Sequence, residues 1–259
     1  MKTLAFCIGL LATCTSLSSV SAADLTRAEV EQRLANADKN HVADLKRKDL
    51  TELDLSGLDF RNANLWGSDM RRANFSKSNL SGLVLDLTVM SKINLSGADL
   101  SNTSVFGVHL GGANLTYSNL TGSRFIATLD RSDLSYANLS KVDWGVDMKN
   151  QSMGLMRASM NNVNLTGANL TDANLDRALM RYANFKDSIL KNANLFGVDL
   201  SGADFNNADL TGANLTGTSL EETNFAGANL TGTRFAGIKD KGRLKGLSES
   251  RNLDKAIFE

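Results

Sequence analysis

The chain has 259 residues, with 28 basic and 28 acidic side chains, no proline, and two cysteines. That balance excludes the strong positive field of a nucleic-acid-binding surface and equally a strongly acidic one. Cysteine usage excludes a disulfide framework, because Cys7 and Cys14 both lie near the N-terminus.

Residues 1–22 read as a secretory signal peptide. Lys2 gives the short positive start, Leu4 to Leu11 the apolar run, and Val20-Ser21-Ala22 the small-residue site, with cleavage after Ala22 or Ala23. A buried N-terminal helix leaves this tripartite pattern unexplained. A lipoprotein reading needs Cys14 as the lipidated residue, but Leu11-Ala12-Thr13-Cys14 carries Thr where Gly, Ala or Ser is usual. Cleavage would leave an exported form, periplasmic or secreted, with neither thiol. No later stretch approaches the ~20 apolar residues of a membrane span.

Residues 23–48 form a lead-in. Thr26-Arg27-Ala28-Glu29 is a capping-box pattern, and Leu25 with Val30 has hydrophobic-staple spacing. Val30, Leu34 and Ala37 make one narrow apolar face, which predicts a helix over 26–38 that caps the region beginning at residue 49.

From residue 49 to 237 a bulky apolar residue returns at every fifth position, usually with Ala, Ser or Thr two places before it; the clearest stretch runs from Asn164 to Leu175. A period of five makes no stripe on a helix, where it advances about 140° per repeat. On one straight strand it would alternate faces. The geometry that suits it is a short extended run, a corner, and repetition. Ala173 and Leu175 then share the inward face, Asn174 points out, and pairs such as Thr166-Gly167 or Ser96-Gly97 turn the corner. One such coil cannot offset the entropy of ordering it, so coils must stack. The absence of proline fits, since each interior strand needs its ladder donor.

Ala63-Asn64-Leu65, Ala98-Asp99-Leu100, Ala113-Asn114-Leu115, Ala203-Asp204-Phe205 and Ala228-Asn229-Leu230 match the consensus A-(D/N)-L-x-x. In this the chain resembles the pentapeptide-repeat proteins over about three quarters of its length. The resemblance implies an all-β fold, a right-handed quadrilateral parallel β-helix with four repeats per coil. It further implies some nine coils and, at the ~4.8 Å spacing of neighbouring strands, a rod of roughly 40–45 Å.

The repeat breaks twice between residues 126 and 156. Bulky positions hold one phase to Phe125, shift by one through Leu129, Leu134, Leu139 and Trp144, and regain the first phase by Leu155 or Met160. A one-residue loss near 126–129 and a one-residue gain within 145–155 are expected. Trp144, Met148, Met153 and Met156 belong to the second irregular segment, where methionine suits either a binding surface or an irregular core gap. Elsewhere the outward residue is usually Asn or Asp; the exceptions are Val84, Val89, His109, Arg124, Leu179, Ile189 and Arg234. With twenty residues per coil, Val89, His109 and Ile189 share one face. Val84, Leu87 and Val89 make a small outward apolar patch, a feature that can mark a partner site.

Residues 238–259 form a C-terminal cap, in which a helix is an option. Lys239, Lys241, Arg243 and Lys245 read as a solvated surface, and Leu253, Ile257 and Phe258 as cover for the open end. Caps at both ends favour a monomer.

Reactive constellations are missing. His41 and His109 are far apart, no His/Cys cluster has metal-ligand spacing, and the glycines follow the repeat rather than gather in a phosphate-cradling loop. No catalytic, cofactor or metal residue is assigned. The Asp rows read as structural, because Asp alternates there with Asn, and an acid–base pair needs a perturbed group in a cleft. These features point to a non-enzymatic exported rod that binds a protein or envelope component. The resemblance brings an alternative, DNA mimicry at a bacterial topoisomerase, which balanced charge and export oppose. A carbohydrate-active β-helix enzyme is a lower alternative, resting on analogy alone.

Overall fold

The computed structural model describes residues 23–146, 156–238 and 243–258. Its polypeptide winds as a right-handed quadrilateral β-helix. Outward residues form parallel bridges with residues one coil on, as in Asp49↔Asp69, Asp54↔Asn74 and Asp59↔Asn79. One face carries Asp44, Asn64, Val84, Ser104, Arg124, Asp143, Asn174, Asn194, Asn214, Arg234 and Ile257, which spans ten turns of the chain.

The period of five works through the corner. The N–H of each small residue donates to the bulky residue's carbonyl three places back, as from Ala168 to Leu165 at 3.0 Å. The second corner residue is left-handed, whether it is glycine (Gly167, φ 65°) or not (Arg177, φ 55°). Bulky N–H groups then donate to the next coil, as from Leu165 to the Asn184 carbonyl at 2.7 Å. Leu165, Leu170 and Leu175 lie on three different faces, and all three are fully buried in a common interior. Ser and Thr fit the small inward slot because the hydroxyl satisfies itself locally; Ser68 Oγ donates to the Leu65 carbonyl at 2.7 Å. Aromatic residues stack down the axis, with Phe185, Phe205 and Phe225 at successive centroid distances of 4.5 and 5.4 Å.

Both ends differ from the sequence expectation. Helix α1 is Arg27–Ala35, shorter than 26–38. Thr26 closes the expected capping box with Glu29, Asn36 ends the helix, and Val30 alone is fully buried. The β-helix begins at β1 (Ala43–Asp44), which pairs with β2 (Ala63–Asn64), so the lead-in is shorter than residues 23–48. At the other end the described residues of the cap form no α-helix. They make a further coil with lengthened corners, containing single 3-10 turns at Leu247–Glu249 and Leu253–Lys255. Bridges Asn224↔Lys245, Asn229↔Arg251 and Arg234↔Ile257 lengthen by one residue at each side, and this hides the coil from a five-residue pattern.

The central irregularity has a different form from two one-residue edits. The lost residue shows as a bulge in β3 (Ser104–His109) against β4 (Arg124–Thr128), where Gly107 is unmatched between Phe106↔Ile126 and Val108↔Ala127. A bulged strand needs one residue with freedom of φ, and Gly107 sits at 69°. After it the partners are 19 apart, as in Asn114↔Asp133. They then jump to 31 apart in Thr128↔Ser159 and Asp143↔Asn174, eleven more than a regular coil. Eleven is two repeats plus one, so counting by phase registers only the one. These edits re-sort the faces: Val89 and His109 stay together, but Leu179 follows them, and Ile189 lies beyond Asn169 on another face. Ile189 therefore does not share their surface.

Candidate functional site

The expected apolar patch exists. Val84 on one face, Leu87 on the corner and Val89 on the next face make a ridge along one coil, 57%, 56% and 38% exposed. Leu87 takes a left-handed φ of 60°, costly for a branched side chain. His109 follows Val89 directly in the ladder and is exposed. Beside the ridge lies a groove of 790 Å³ lined by Lys46, Arg47, Asn64, Trp66 and Val84. The Arg47 guanidinium lies 5.0 Å over the Trp66 ring. Sequence reasoning passed over Trp66, although an indole in a corner slot commonly held by Ser or Thr was a visible signal.

The central candidates separate. Trp144 is not a surface residue: it is fully buried, stacked 4.8 Å from Phe125, with Nε1 donating to Ser123 Oγ at 3.2 Å. It occupies the inward slot of the repeat, so its role is packing. Arg124 turns its guanidinium to Asp143, 2.8 Å away. Met156 is half-buried and lines a cavity of 400 Å³ with Gly107, His109 and Leu179. Met148 and Met153 lie outside the described residues.

The Asp and Asn rows serve the backbone. Asn164 Oδ1 accepts the Thr166 N–H at 3.2 Å, while its Nδ2 donates to Asp133 Oδ1 at 3.0 Å. The Thr51 hydroxyl and N–H hold the Asp49 carboxyl below its usual range. Asp86 goes the other way: burial pushes it up, against one hydrogen bond from the Phe106 N–H. Among the described residues no group of His, Cys, Asp or Glu is arranged to hold a metal ion, and no helix is long and apolar enough to cross a membrane.

The family model for pentapeptide repeats matches in eight copies over residues 43–67, 54–91, 93–128, 107–143, 158–197 and 199–237. The chain belongs to the pentapeptide-repeat family. The matched segments begin at β1 and leave out residues 144–157, where the ladder jumps. Among solved structures, HetL, a pentapeptide-repeat protein involved in heterocyst differentiation regulation in the cyanobacterium Nostoc, is 28% identical. The match covers 90% of this chain and 94% of HetL, with a TM-score of 0.32. Trypsin-treated QnrB1, a plasmid-mediated fluoroquinolone resistance protein, is 20% identical over 71% of this chain and 90% of its own, with a TM-score of 0.43. A pentapeptide-repeat protein of the Arabidopsis thaliana thylakoid lumen is 27% identical over 57% and 68%, with a TM-score of 0.13. No match was found among curated proteins.

Proposed function

We propose that this pentapeptide-repeat protein is a non-enzymatic, exported, monomeric interaction rod, which engages a protein or envelope component through the Val84, Leu87 and Val89 ridge. The observation that carries the reading is Leu87. A branched apolar side chain is held in left-handed backbone and mostly exposed, although the same corner position accepts glycine in neighbouring coils, as at Gly67 and Gly107. Left-handed backbone is common to this slot, but an exposed aliphatic side chain in it is a motive for function. Export rests on the tripartite pattern of residues 1–22. Affinity capture from an envelope fraction tests the reading: native protein retains a partner that the Leu87→Gly variant releases. Equal capture by both, or recovery of the chain from cytoplasm with Met1 intact, overturns it.

The eleven-residue excess between Trp144 and Met160 favours a second reading, topoisomerase interaction through an insertion in the rod. It predicts inhibition or protection in a DNA supercoiling assay with protein lacking residues 1–22. No effect at large molar excess removes it.

A further inference from the structure

In a regular coil the outward Asp or Asn caps the next corner. Asp49 Oδ1 accepts the N–H of Thr51 at 2.9 Å, and Asn114 Oδ1 that of Thr116 at 3.1 Å. On the second face this fails in three successive coils, where the outward residues are Val89, His109 and Thr128. Among the described residues the N–H groups of Ser91, Gly111 and Asp130 accordingly donate to no acceptor. In the next two coils a neighbouring side chain makes good the loss: Asp130 Oδ1 takes the Asn161 N–H at 2.8 Å, and Asn161 Oδ1 takes that of Arg181 at 3.1 Å. The three earlier donors have no such substitute.

They are stacked at the ~4.8 Å coil spacing, and the same corner carries two exposed cations, Lys92 and Arg131. Neither cation has a carboxylate partner among the described residues. The space between them is a groove of 400 Å³ whose floor, Gly111 and Gly112, has no side chains. Asp130 also lines it, but its Oδ1 is engaged by the Ser159 hydroxyl and the Asn161 N–H of the following coil. Unpaired backbone donors between two cations are the chemistry that holds an oxyanion.

We propose that this corner binds a phosphate group, held by the adjacent Gly111 and Asp130 N–H groups, one coil spacing apart, and by Lys92 and Arg131. A tetrahedral phosphate presents acceptors in several directions at once, which suits donors arriving from a row and from two sides; a carboxylate has acceptors only in one plane. The site is separate from the apolar ridge and does not depend on it. The phosphate is either that of a lipid headgroup or a soluble one.

Isotope-labelled full chain titrated with inorganic phosphate, at ionic strength held constant with chloride, tests the site. Saturable shifts of the Gly111 and Asp130 amides are expected, larger than that of Ser91, which lies outside the groove. His109→Asn supplies the missing acceptor to Gly111 while leaving both cations in place. It should weaken phosphate about tenfold, the equivalent of one hydrogen bond to a charged group. Lys92→Gln combined with Arg131→Gln should abolish saturation, and thermal melts check that each variant is folded. Sedimentation with phosphatidylglycerol but not phosphatidylcholine vesicles, lost in His109→Asn, assigns the headgroup. Saturation by inorganic phosphate without vesicle binding assigns a soluble phosphate. Chloride shifting the same amides equally, or His109→Asn binding phosphate as tightly as the native chain, overturns the proposal.

Discussion

Leu87 and Trp144 show how one slot of the repeat decides what a side chain does. Leu87 stands in the second corner position, so it is exposed whatever its hydrophobicity; Trp144 stands in the inward position, so it is buried. Leu87→Gly should leave stability unchanged or raise it by about 1 kcal/mol, because it removes left-handed strain and no core contact. Trp144→Ala should cost about 3–5 kcal/mol, the range for emptying an aromatic site in a core. Denaturant unfolding of the two variants measures both, and a large loss in the first would mean that Leu87 packs. At Asp49, the Thr51 hydroxyl and N–H favour the ionised carboxyl in the folded state. The folded pKa is therefore below the unfolded value near 3.8. This contribution is fully present above that value and is lost as pH falls through the folded one. Thr51→Val should accordingly flatten the decline of melting temperature on acidification below about pH 4. An unchanged slope would remove Asp49 from the acid response.

At the scale of the element, a coil tolerates edits only in ways that return every bulky residue inward. Gly107 absorbs the first edit as a bulge, and an excess of eleven residues between Trp144 and Met160 absorbs the second by restoring phase. Deleting residues 146–156 joins Gly145 to Arg157 and creates Trp144-Gly145-Arg157-Ala158-Ser159-Met160, a regular repeat. This deletion should fold with the native circular-dichroism spectrum and a melting temperature within a few degrees, since closing a shorter connection costs little. Unfolding of the deletion would show that the extra residues support the rod. The outward rows act at this scale too. Asn194 Nδ2 donates to Asn174 Oδ1 at 2.9 Å and Asn174 Nδ2 to Asp143 Oδ1 at 2.8 Å, so the ladder crosses the long coil unbroken.

Across the whole molecule, stability is a sum over stacked neighbours, and the ends matter most. At the N-terminal end Arg33 of α1 donates to the Asp44 carbonyl at 2.6 Å, while Val30 closes the interior. At the C-terminal end Phe258 stacks 5.0 Å from Phe235. Ending the chain at residue 238 would bare the Phe225, Leu230 and Phe235 layer together with its ladder donors. That variant should melt lower and self-associate in sedimentation, through the exposed strand edge. A monomer with native melting behaviour would show that the last coil is dispensable.

Most of the architecture was legible in residue order, because a period of five admits one arrangement that buries every bulky residue, and the small, outward and corner slots derive from it. The capping box was legible for the same reason, being a contact between near neighbours. Less of the candidate site could be read in this way. Val84, Leu87 and Val89 stand close together in the chain and were visible as exceptions. Trp144 kept the shifted phase and so was legible as an inward residue; only its place beside the irregular methionines made it a surface candidate. The last coil, the length of the central insertion, the face on which Ile189 lies and the unpaired N–H groups of Ser91, Gly111 and Asp130 all depend on which residue stacks on which. Local pattern sets the direction of each side chain, while the neighbour across the ladder is set by the total path length of a coil, and that sum is known only once the chain has closed on itself.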